Sequence, residues 1–277
     1  MYKQKIGISV GGNETDEFIK LIKNIGFEAI SFDCGELENI KRMAATARSI
    51  GLTVEYLHAK FGEAHTMWNK DENISKEGIE RLLFDLQVCH ECGIDKMIVH
   101  VWIGFGYTFG ETKYGFENYG IIVKKAKEYG IKICFENTEG EEYLYALMEY
   151  FKDDDTVGFC WDSGHEMCYN YSHDLLKDFG DRLLVTHLND NLGISRFDGE
   201  IYWTDDLHLL PYDGIADWDY NIERLKNSKK LDILNFELGK HSKPNRHEND
   251  IYEKMSDEEY FTEAYKRACK IAYRYSK

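Results

Sequence analysis

Two hydrophobic patterns alternate along the chain. In one, apolar residues fill short segments of six to eight positions, and in the other they recur every three or four positions. The first pattern predicts buried strands and the second predicts amphipathic helices. Strands are expected at residues 5–10, 28–33, 53–58, 96–101, 131–137, 156–162, 182–188 and 231–238. Helices are expected between them, among others at residues 16–25, 37–49, 76–92, 118–128, 141–151, 218–225 and 258–273.

The order of these elements favours one architecture. Eight strands alternate with about eight helices, and no segment rich in Gly, Ser or Pro divides the chain. Left-handed helix caps are expected at Gly51, Gly93 and Gly130. We therefore predict a single (β/α)₈ TIM barrel, one α/β domain over residues 1–277. An open doubly wound sheet is the alternative, but the turn at Gly11 and Gly12 lacks the spacing of a dinucleotide-binding loop.

Net charge narrows the range of partners. The chain has 50 Asp and Glu against 34 Lys and Arg, a formal net charge of −16. A protein that binds a phosphate backbone usually presents positive charge, so we expect no nucleic-acid partner. Hydrophobic residues make up 43% of the chain, which indicates a large folded core rather than disorder.

The sequence shows no membrane or secretion signal. No apolar run approaches the roughly 20 residues of a membrane helix, and the first residues form no hydrophobic signal segment. Seven cysteines are scattered along the chain, several in apolar runs, so we expect reduced thiols in a cytoplasmic protein. Cys89 and Cys92 have the spacing of half a zinc knuckle, but they fall in a helical pattern and are expected to be structural.

Ionisable residues stand at the ends of six predicted strands. In a (β/α)₈ barrel the active site forms at the carboxyl ends of the strands, so these residues are expected to face one another. They are His58, His100, Glu136, Asp162, His187 and Glu237. Because most of them close an apolar segment, we expect a dry barrel rim around them.

Three carboxylates in such a place need a cation. Glu136, Asp162 and Glu237 would repel one another and would be costly to desolvate. A divalent metal ion bound by these three and by His187 would remove this conflict. Mixed carboxylate and imidazole ligands suit Mn, Zn, Co or Mg, and the residue types do not choose among these metals.

A second layer of candidates surrounds these four residues. His165 follows Asp162 by three positions, and Asp206 precedes His208 by two within residues 189–230, the longest predicted connection. That connection is expected to form a structured loop over the barrel mouth. Structural roles are favoured for Asp190 and Asp206. Surface or helix positions are favoured for His65, His90, His173, His241 and His247.

The chain resembles the xylose-isomerase-like TIM barrels. This superfamily contains sugar and sugar-phosphate isomerases and epimerases, inosose isomerases and dehydratases, and endonuclease IV. The resemblance extends from the first strand to the last helix. It rests on Phe135-Glu136-Asn137-Thr138, Trp161-Asp162-Ser163-Gly164-His165, His187-Leu188-Asn189-Asp190-Asn191, residues 208–218 and Phe236-Glu237.

The epimerase branch implies roles for these residues. There the positions of Glu136, Asp162, His187 and Glu237 bind one divalent metal, and the two glutamates act as acid and base on a ketose or aldose. The position of His165 contacts a substrate hydroxyl. Further substrate contacts are expected from His58, His100, Trp102, Asn137 and His208. Aromatic residues of the loops, Trp68 and Phe105 with Trp102, are expected to wall the pocket.

The endonuclease branch implies a different use of the same residues. Its three-zinc ligand pattern is matched in order by His58, His100, Glu136, Asp162, His165, His187, Asp206, His208 and Glu237. Acidic loops at 139–142, 198–200 and 204–206 oppose binding of DNA. We therefore expect an isomerase or epimerase with a small sugar as its partner, with a hydrolase or lyase, a nuclease and a non-catalytic binding barrel as alternatives. A phosphate on the sugar, for which Arg196 and Lys240 are candidate ligands, and assembly with further copies of the chain are left open.

Overall fold

Eight parallel strands form the centre of the protein. The computed structural model describes residues 3–171, 173–196 and 202–277, so the acidic loop 198–200 lies outside the described residues. The strands are β1 Lys5–Val10, β2 Ala29–Asp33, β3 Thr53–His58, β4 Lys96–His100, β5 Lys132–Glu136, β6 Val157–Asp162, β7 Leu183–His187 and β8 Ile233–Phe236.

Strand pairing produces a nearly closed ring. Each strand pairs in parallel with the next from β1 to β7, and β1 also pairs with β8. A parallel bridge between Leu188 and Phe236 connects the ends of β7 and β8. The predicted (β/α)₈ barrel is confirmed, and all eight predicted strands overlap the observed ones.

Helices surround the barrel. The α-helices in the described residues are α1 Asp16–Ile25, α2 Leu37–Ser49, α3 Glu72–Cys92, α4 Lys113–Tyr129, α5 Glu141–Tyr150, α6 Ser163–Cys168, α7 Leu175–Phe179, α8 Trp218–Asn227, α9 Asp250–Glu253 and α10 Asp257–Tyr275. Short 3₁₀-helices lie at Ala64–Trp68, Gly180–Arg182 and Trp203–Asp205. The predicted caps are also present, since Gly93 and Gly130 end α3 and α4 with positive φ angles of 61° and 71°.

Two helices begin earlier than the apolar periodicity indicated. The Asp71 side chain accepts a hydrogen bond from the Asn73 backbone N–H and so begins α3 in a polar segment. The first turn of α4 contains Gly115, and a Cβ there would lie 2.1 Å from the ring of Trp68. Close packing of Trp68 on the α4 backbone therefore replaces the apolar side chain that the prediction needed.

The long connection after β7 is held by one buried carboxylate. Asp190 accepts hydrogen bonds from the backbone N–H groups of Tyr212 and Ala216 and from the indole N–H of Trp218, at 2.8 to 2.9 Å. An antiparallel bridge between Asp190 and Leu209 adds to these contacts. The structural role predicted for Asp190 agrees with this arrangement, and the connection is folded against the barrel in its described part.

The cysteines form no disulfide bonds with one another in the described part of the chain, and all except Cys269 are buried. Cys89 and Cys92 lie in the last turn of α3 and belong to no group of potential metal ligands among the described residues. Among those residues no helix has both the length and the apolar character needed to span a membrane. A cytoplasmic location stays a prediction.

Candidate active site

The four predicted metal ligands converge at the barrel mouth. Glu136, Asp162 and His187 are the last residues of β5, β6 and β7, and Glu237 directly follows β8. Their ligand atoms lie within 4.8 Å of one another. The first three side chains are fully buried, whereas that of Glu237 is 22% exposed and opens the cluster towards solvent.

His187 lies between two carboxylates. Its Nδ1 atom is 2.9 Å from Glu136 Oε1 and 3.0 Å from Glu237 Oε2. Burial alone would raise the pKa of Glu237, but the charge of His187 and its hydrogen bond lower this pKa to about 2. Burial also raises the pKa of Glu136, but His187 and His100 have the larger combined effect and hold this pKa well below its ordinary value. Both glutamates are therefore deprotonated at neutral pH.

The end of β6 is oriented by a hydrogen-bond network. Asp162 Oδ1 accepts from the backbone N–H of His165 at 2.7 Å and so caps α6, and Oδ2 accepts from Asn189 Nδ2 at 2.9 Å. Asn137 exchanges hydrogen bonds with the backbone N–H and C=O of Asp162 at 2.8 and 2.9 Å. The buried Asn137 amide thus joins β5 to β6. This placement indicates a positioning role, and the expected substrate contact of Asn137 stays a prediction.

Two further histidines lie on the other side of Glu136. The Nε2 atoms of His58 and His100 are 3.1 and 3.2 Å from Glu136 Oε2. These three residues also place their ligand atoms within 4.8 Å of one another. Glu136 therefore connects two groups of potential metal ligands, one through each carboxylate oxygen.

Asp206, for which the sequence favoured a structural role, lies beside a third group of potential metal ligands, formed by Asp162, His165 and His208. Asp206 Oδ1 lies 2.9 Å from His208 Nε2 and 3.4 Å from His165 Nε2. It therefore lies beside the strand-end residues, and its role, structural or as a further metal ligand, stays a prediction. The sequence could not show this contact because it depends on how the long connection folds back over the barrel.

Backbone carbonyls orient three of the histidine rings. The Nδ1 atoms of His58, His165 and His208 lie 2.9, 2.9 and 3.2 Å from the carbonyl oxygens of Ala59, Asn137 and Glu237. A carbonyl oxygen only accepts, so Nδ1 of each ring carries its proton. In the neutral form each ring then presents the Nε2 lone pair to the cluster. Metal-binding histidines usually have such a partner on their second nitrogen.

The residues fit divalent metal ions. Asp206 Oδ1 is buried and accepts no hydrogen bond from any described group, although two imidazole nitrogens face it. Such an arrangement requires a proton or a cation between the carboxylate and the rings. Burial disfavours the proton on His165, but Asp162 and Asp206 raise its pKa well above the ordinary value. Carboxylates and imidazoles are ligands for Mn, Zn, Co or Mg, so the donor set suits a metal in the place of these protons.

The predicted aromatic residues differ in exposure. Trp68 is buried and donates from its indole to the Val101 carbonyl at 2.7 Å, so it is a packing residue. Trp102 stacks on Tyr143 with ring centroids 4.7 Å apart. Phe105 is exposed and lines a cavity beside the site. A substrate contact of Trp102 stays a prediction.

The remaining histidines lie outside the site. His65, His90, His173, His241 and His247 join no group of potential metal ligands in the described part of the chain. His90, for example, stacks on Tyr129 at 4.1 Å on the outer face of the barrel helices.

Lys243 is a site residue that the sequence did not indicate. Its ammonium group lies 3.5 Å from Asp206 Oδ2 and 5.7 Å from the ring centre of Trp203. The position after β8 was the only sequence signal available for it. Lys243 neutralises the oxygen of Asp206 that does not face the histidines.

The fold and the site together define a class of protein: a (β/α)₈ barrel with carboxylate and histidine side chains at its mouth that could hold a metal ion. Residues 19–269 match the family model described as xylose isomerase-like TIM barrel, and the chain belongs to this family.

The individual relatives share less than a third of their aligned residues with this chain. An uncharacterised protein of Sinorhizobium fredii is 28% identical over 187 residues, which are 63% of this chain and 55% of that protein. The match thus spans about half the length of this relative. Among solved structures, the zinc-bound IolI protein has a TM-score of 0.75 at 19% identity and covers 98% of this chain and 99% of its own. L-ribulose 3-epimerase has a TM-score of 0.71 at 14% identity, with coverage of 97% and 94%.

Proposed function

We propose that the protein is a divalent-metal-dependent isomerase or epimerase that acts on sugars. The observation that carries this proposal is the convergence of Glu136 and Glu237 on one point, each within 3.0 Å of His187 Nδ1. Two carboxyl groups from separate strands can act at the same substrate carbon, each as a base when deprotonated and as an acid once it has taken up a proton. The fold of L-ribulose 3-epimerase and of IolI supports the same reading.

The metal would be held by Glu136, Asp162, His187 and Glu237. When bound, it would supply a Lewis acid that polarises the carbonyl of a hydroxy-ketone or hydroxy-aldehyde and stabilises negative charge on its oxygen.

The protein residues move the proton. One of the two glutamates, in its deprotonated form, takes the proton from the carbon next to the carbonyl. A proton then returns to the reacting carbons either from this same carboxyl group or from the other glutamate after that group has taken up a proton from solvent. Their lowered pKa values keep both in the state that a base requires. His100 and His165 lie on either side of Glu136 and present ring nitrogens to substrate hydroxyls. Burial of the cluster keeps water away from the reacting carbons.

Proton exchange tests this proposal directly. The metal-loaded protein is incubated in D₂O with a panel of ketoses and aldoses, and deuterium at the carbon next to the carbonyl is measured by mass spectrometry. Metal-dependent incorporation is expected for at least one sugar, together with formation of its isomer or epimer. Absence of exchange across the panel in protein that contains metal would contradict the proposal.

A second candidate function is hydrolysis of a phosphodiester. It is favoured by the complete set of nine ligand-type residues, since His58 with His100 and His165 with Asp206 and His208 extend the cluster beyond one metal site. Clusters of two or three metal ions suit displacement at phosphorus. The net charge of −16 opposes a nucleic-acid substrate. Cleavage of bis(p-nitrophenyl) phosphate, and of an abasic-site duplex at low salt, would support this second candidate if no sugar exchanges protons.

A further inference from the structure

A cleft of about 610 Å³ opens beside the metal-ligand cluster. It lies between the β4–α4 loop, the start of α5, the end of α6 and the long connection after β7. Its volume falls in the range typical of binding sites for small molecules. Neither the metal ligands nor the proposed acid and base line it, so this space has no role in the proton transfer itself.

The cleft adjoins the candidate active site. The ring of Tyr169, which lines the cleft, is 5.1 Å from the ring of His165 and 5.9 Å from that of Phe105. Glu139, also a lining residue, follows Glu136 by three positions. The cleft is therefore the space next to the cluster in which the other end of a substrate could lie.

Aromatic rings and carboxylates make up most of the cleft lining. Half of the lining residues are aromatic: Phe105, Tyr107, Tyr169, Tyr202 and Trp203. Three more are Glu139, Glu141 and Glu142, and none of the described lining residues is Lys or Arg. Aromatic faces pack against the C–H faces of a sugar ring, and carboxylates accept hydrogen bonds from its hydroxyls. The same carboxylates repel a phosphate.

The helix N-terminus at the cleft is already occupied by negative charge. A helix N-terminus is otherwise a ready site for phosphate. The first turn of α5 contains Glu141 and Glu142, which offset the positive end of that helix dipole.

The cations of the loop after β8 are paired within the protein. Lys243 lies 3.5 Å from Asp206 Oδ2, and Arg246 lies 2.8 Å from Asp205 Oδ1. Lys240, a candidate phosphate ligand in the sequence, lies 2.7 Å from Asp257 Oδ1. The other candidate, Arg196, lies over the ring of Tyr202 with its guanidinium 5.0 Å from the ring centre. A phosphate group would therefore compete with these contacts for the positive charge.

We propose that this cleft receives the end of the substrate away from the reacting carbons and that it selects a neutral, polyhydroxylated molecule over its phosphate ester. This inference rests on the proposed function and assigns the substrate class of the same site. Phe105 and Trp203 provide apolar faces for the sugar chain or ring, and the carboxylate of Glu142 provides a hydrogen-bond acceptor and the charge that repels phosphate.

Binding measurements on matched sugars test this assignment. The metal-loaded full-length chain is titrated by calorimetry with free ketopentoses and ketohexoses and with the same sugars as terminal phosphate esters. We expect the esters to bind at least about tenfold more weakly than the free sugars, because like charges face one another across the cleft. Esters that bind equally or more tightly would overturn the assignment, and so would a panel in which no free sugar binds.

Reversal of one charge in the cleft tests whether the cleft causes the preference for free sugars over phosphate esters. Glu142 lines the cleft and accepts a hydrogen bond from Tyr107, whereas Glu149, on the same helix α5, is exposed and pairs with Lys152. Glu142→Lys is expected to reduce the preference for the free sugar at least about fivefold, and Glu149→Lys, the matched control, to leave it unchanged. Equal effects of the two variants would show that only the overall charge matters and would contradict the assignment.

The two proposals fail in different ways. Selective binding of free sugars without proton exchange in D₂O would reject the isomerase function and leave the substrate class standing. Proton exchange with phosphate esters in preference to free sugars would reject the substrate class and leave the isomerase function standing.

Discussion

At the scale of single residues, the candidate site consists of carboxylates that are surrounded by histidines. Glu136 contacts three histidines at 2.9 to 3.2 Å, His187 through Oε1 and both His58 and His100 through Oε2. Its neighbours lower its pKa, and complete burial leaves it no solvent that could replace them. A change in charge at this position therefore affects every part of the cluster.

Removal of either glutamate charge is expected to stop turnover. Glu136→Gln and Glu237→Gln should each lower the rate of sugar proton exchange by at least about a hundredfold, since a glutamine cannot accept the proton. Circular dichroism should show a fold like that of the wild type. Glu149→Gln, an exposed position on α5, is the control and should keep full activity. Retention of most activity by either site variant would exclude that residue as acid or base.

Metal affinity is expected to depend on Asp162. Asp162→Asn keeps an oxygen for the His165 N–H that caps α6, but it loses the negative charge at the cluster. We expect the affinity for the tightest-binding divalent metal to fall at least about tenfold, measured by titration of metal into chelator-treated protein. Unchanged affinity would remove Asp162 from the ligand set.

At the scale of elements, the loops and short helices of the mouth are fixed by a few buried contacts. Arg224 of α8 reaches Glu166 of α6 and Asp174 before α7, at 2.7 and 2.6 Å, with about a tenth of the Arg224 side chain exposed. Its guanidinium also lies 5.3 Å from the ring centre of Trp161. These contacts join α8 to the short helix that directly follows Asp162.

Loss of this arginine is expected to destabilise the fold. Arg224→Met should lower the free energy of unfolding by about 2–4 kcal/mol, because it leaves the Glu166 carboxylate nearly buried and unpaired. Denaturation by urea gives the value. Lys226→Met on the same helix is the control and should change stability by less than about 1 kcal/mol, since its partner Glu223 is exposed. Similar losses in both variants would contradict a specific role of the Arg224 contacts.

Substitution of Gly115, at the start of α4, tests how closely Trp68 packs against this helix. Gly115→Ala would place a Cβ 2.1 Å from the Trp68 ring, so we expect a loss of about 1–3 kcal/mol in unfolding free energy. Gly120→Ala lies in the same helix with open space around it and should instead stabilise the protein by about 0.5–1 kcal/mol. A neutral or stabilising Gly115→Ala would show that the ring moves away at little cost.

At the scale of the whole molecule, the cluster links the strand ends around the mouth. Its ligands come from β5, β6, β7 and the residue after β8, with His58 and His100 at the ends of β3 and β4. A metal ion that binds the folded barrel and not the unfolded chain therefore stabilises the entire fold.

Removal of metal is expected to lower thermal stability. At a metal concentration about a hundredfold above the dissociation constant, binding contributes about 2.7 kcal/mol. For a barrel of 277 residues this corresponds to a fall of roughly 5–10 °C in Tm when a chelator is added. Differential scanning calorimetry measures the shift, and Asp162→Asn should show a smaller one. An unchanged Tm, together with no metal in the purified protein, would leave only a barrel that binds without catalysis.

Most of the fold and the centre of the site follow from the sequence. Alternation of apolar segments and helical periodicity predicted the eight strands, because burial of both faces of a parallel strand requires continuous apolar residues. The strand-end residues Glu136, Asp162 and His187 follow from the same pattern, since the carboxyl ends of all strands meet at the barrel mouth.

Other features were decided only by the tertiary structure. The role of Asp206 depends on how residues 189–230 fold back onto the barrel, and the early start of α4 depends on Trp68, which lies more than 40 residues away. The pairing of Lys243 with Asp206 and the acidic, aromatic cleft beside His165 likewise join segments from separate loops. Local periodicity records which side of an element is buried, but contacts between distant loops depend on the complete packing of the chain. The sequence alone therefore determined the barrel and the residues that close its strands, and the tertiary structure decided which loop residues complete the site.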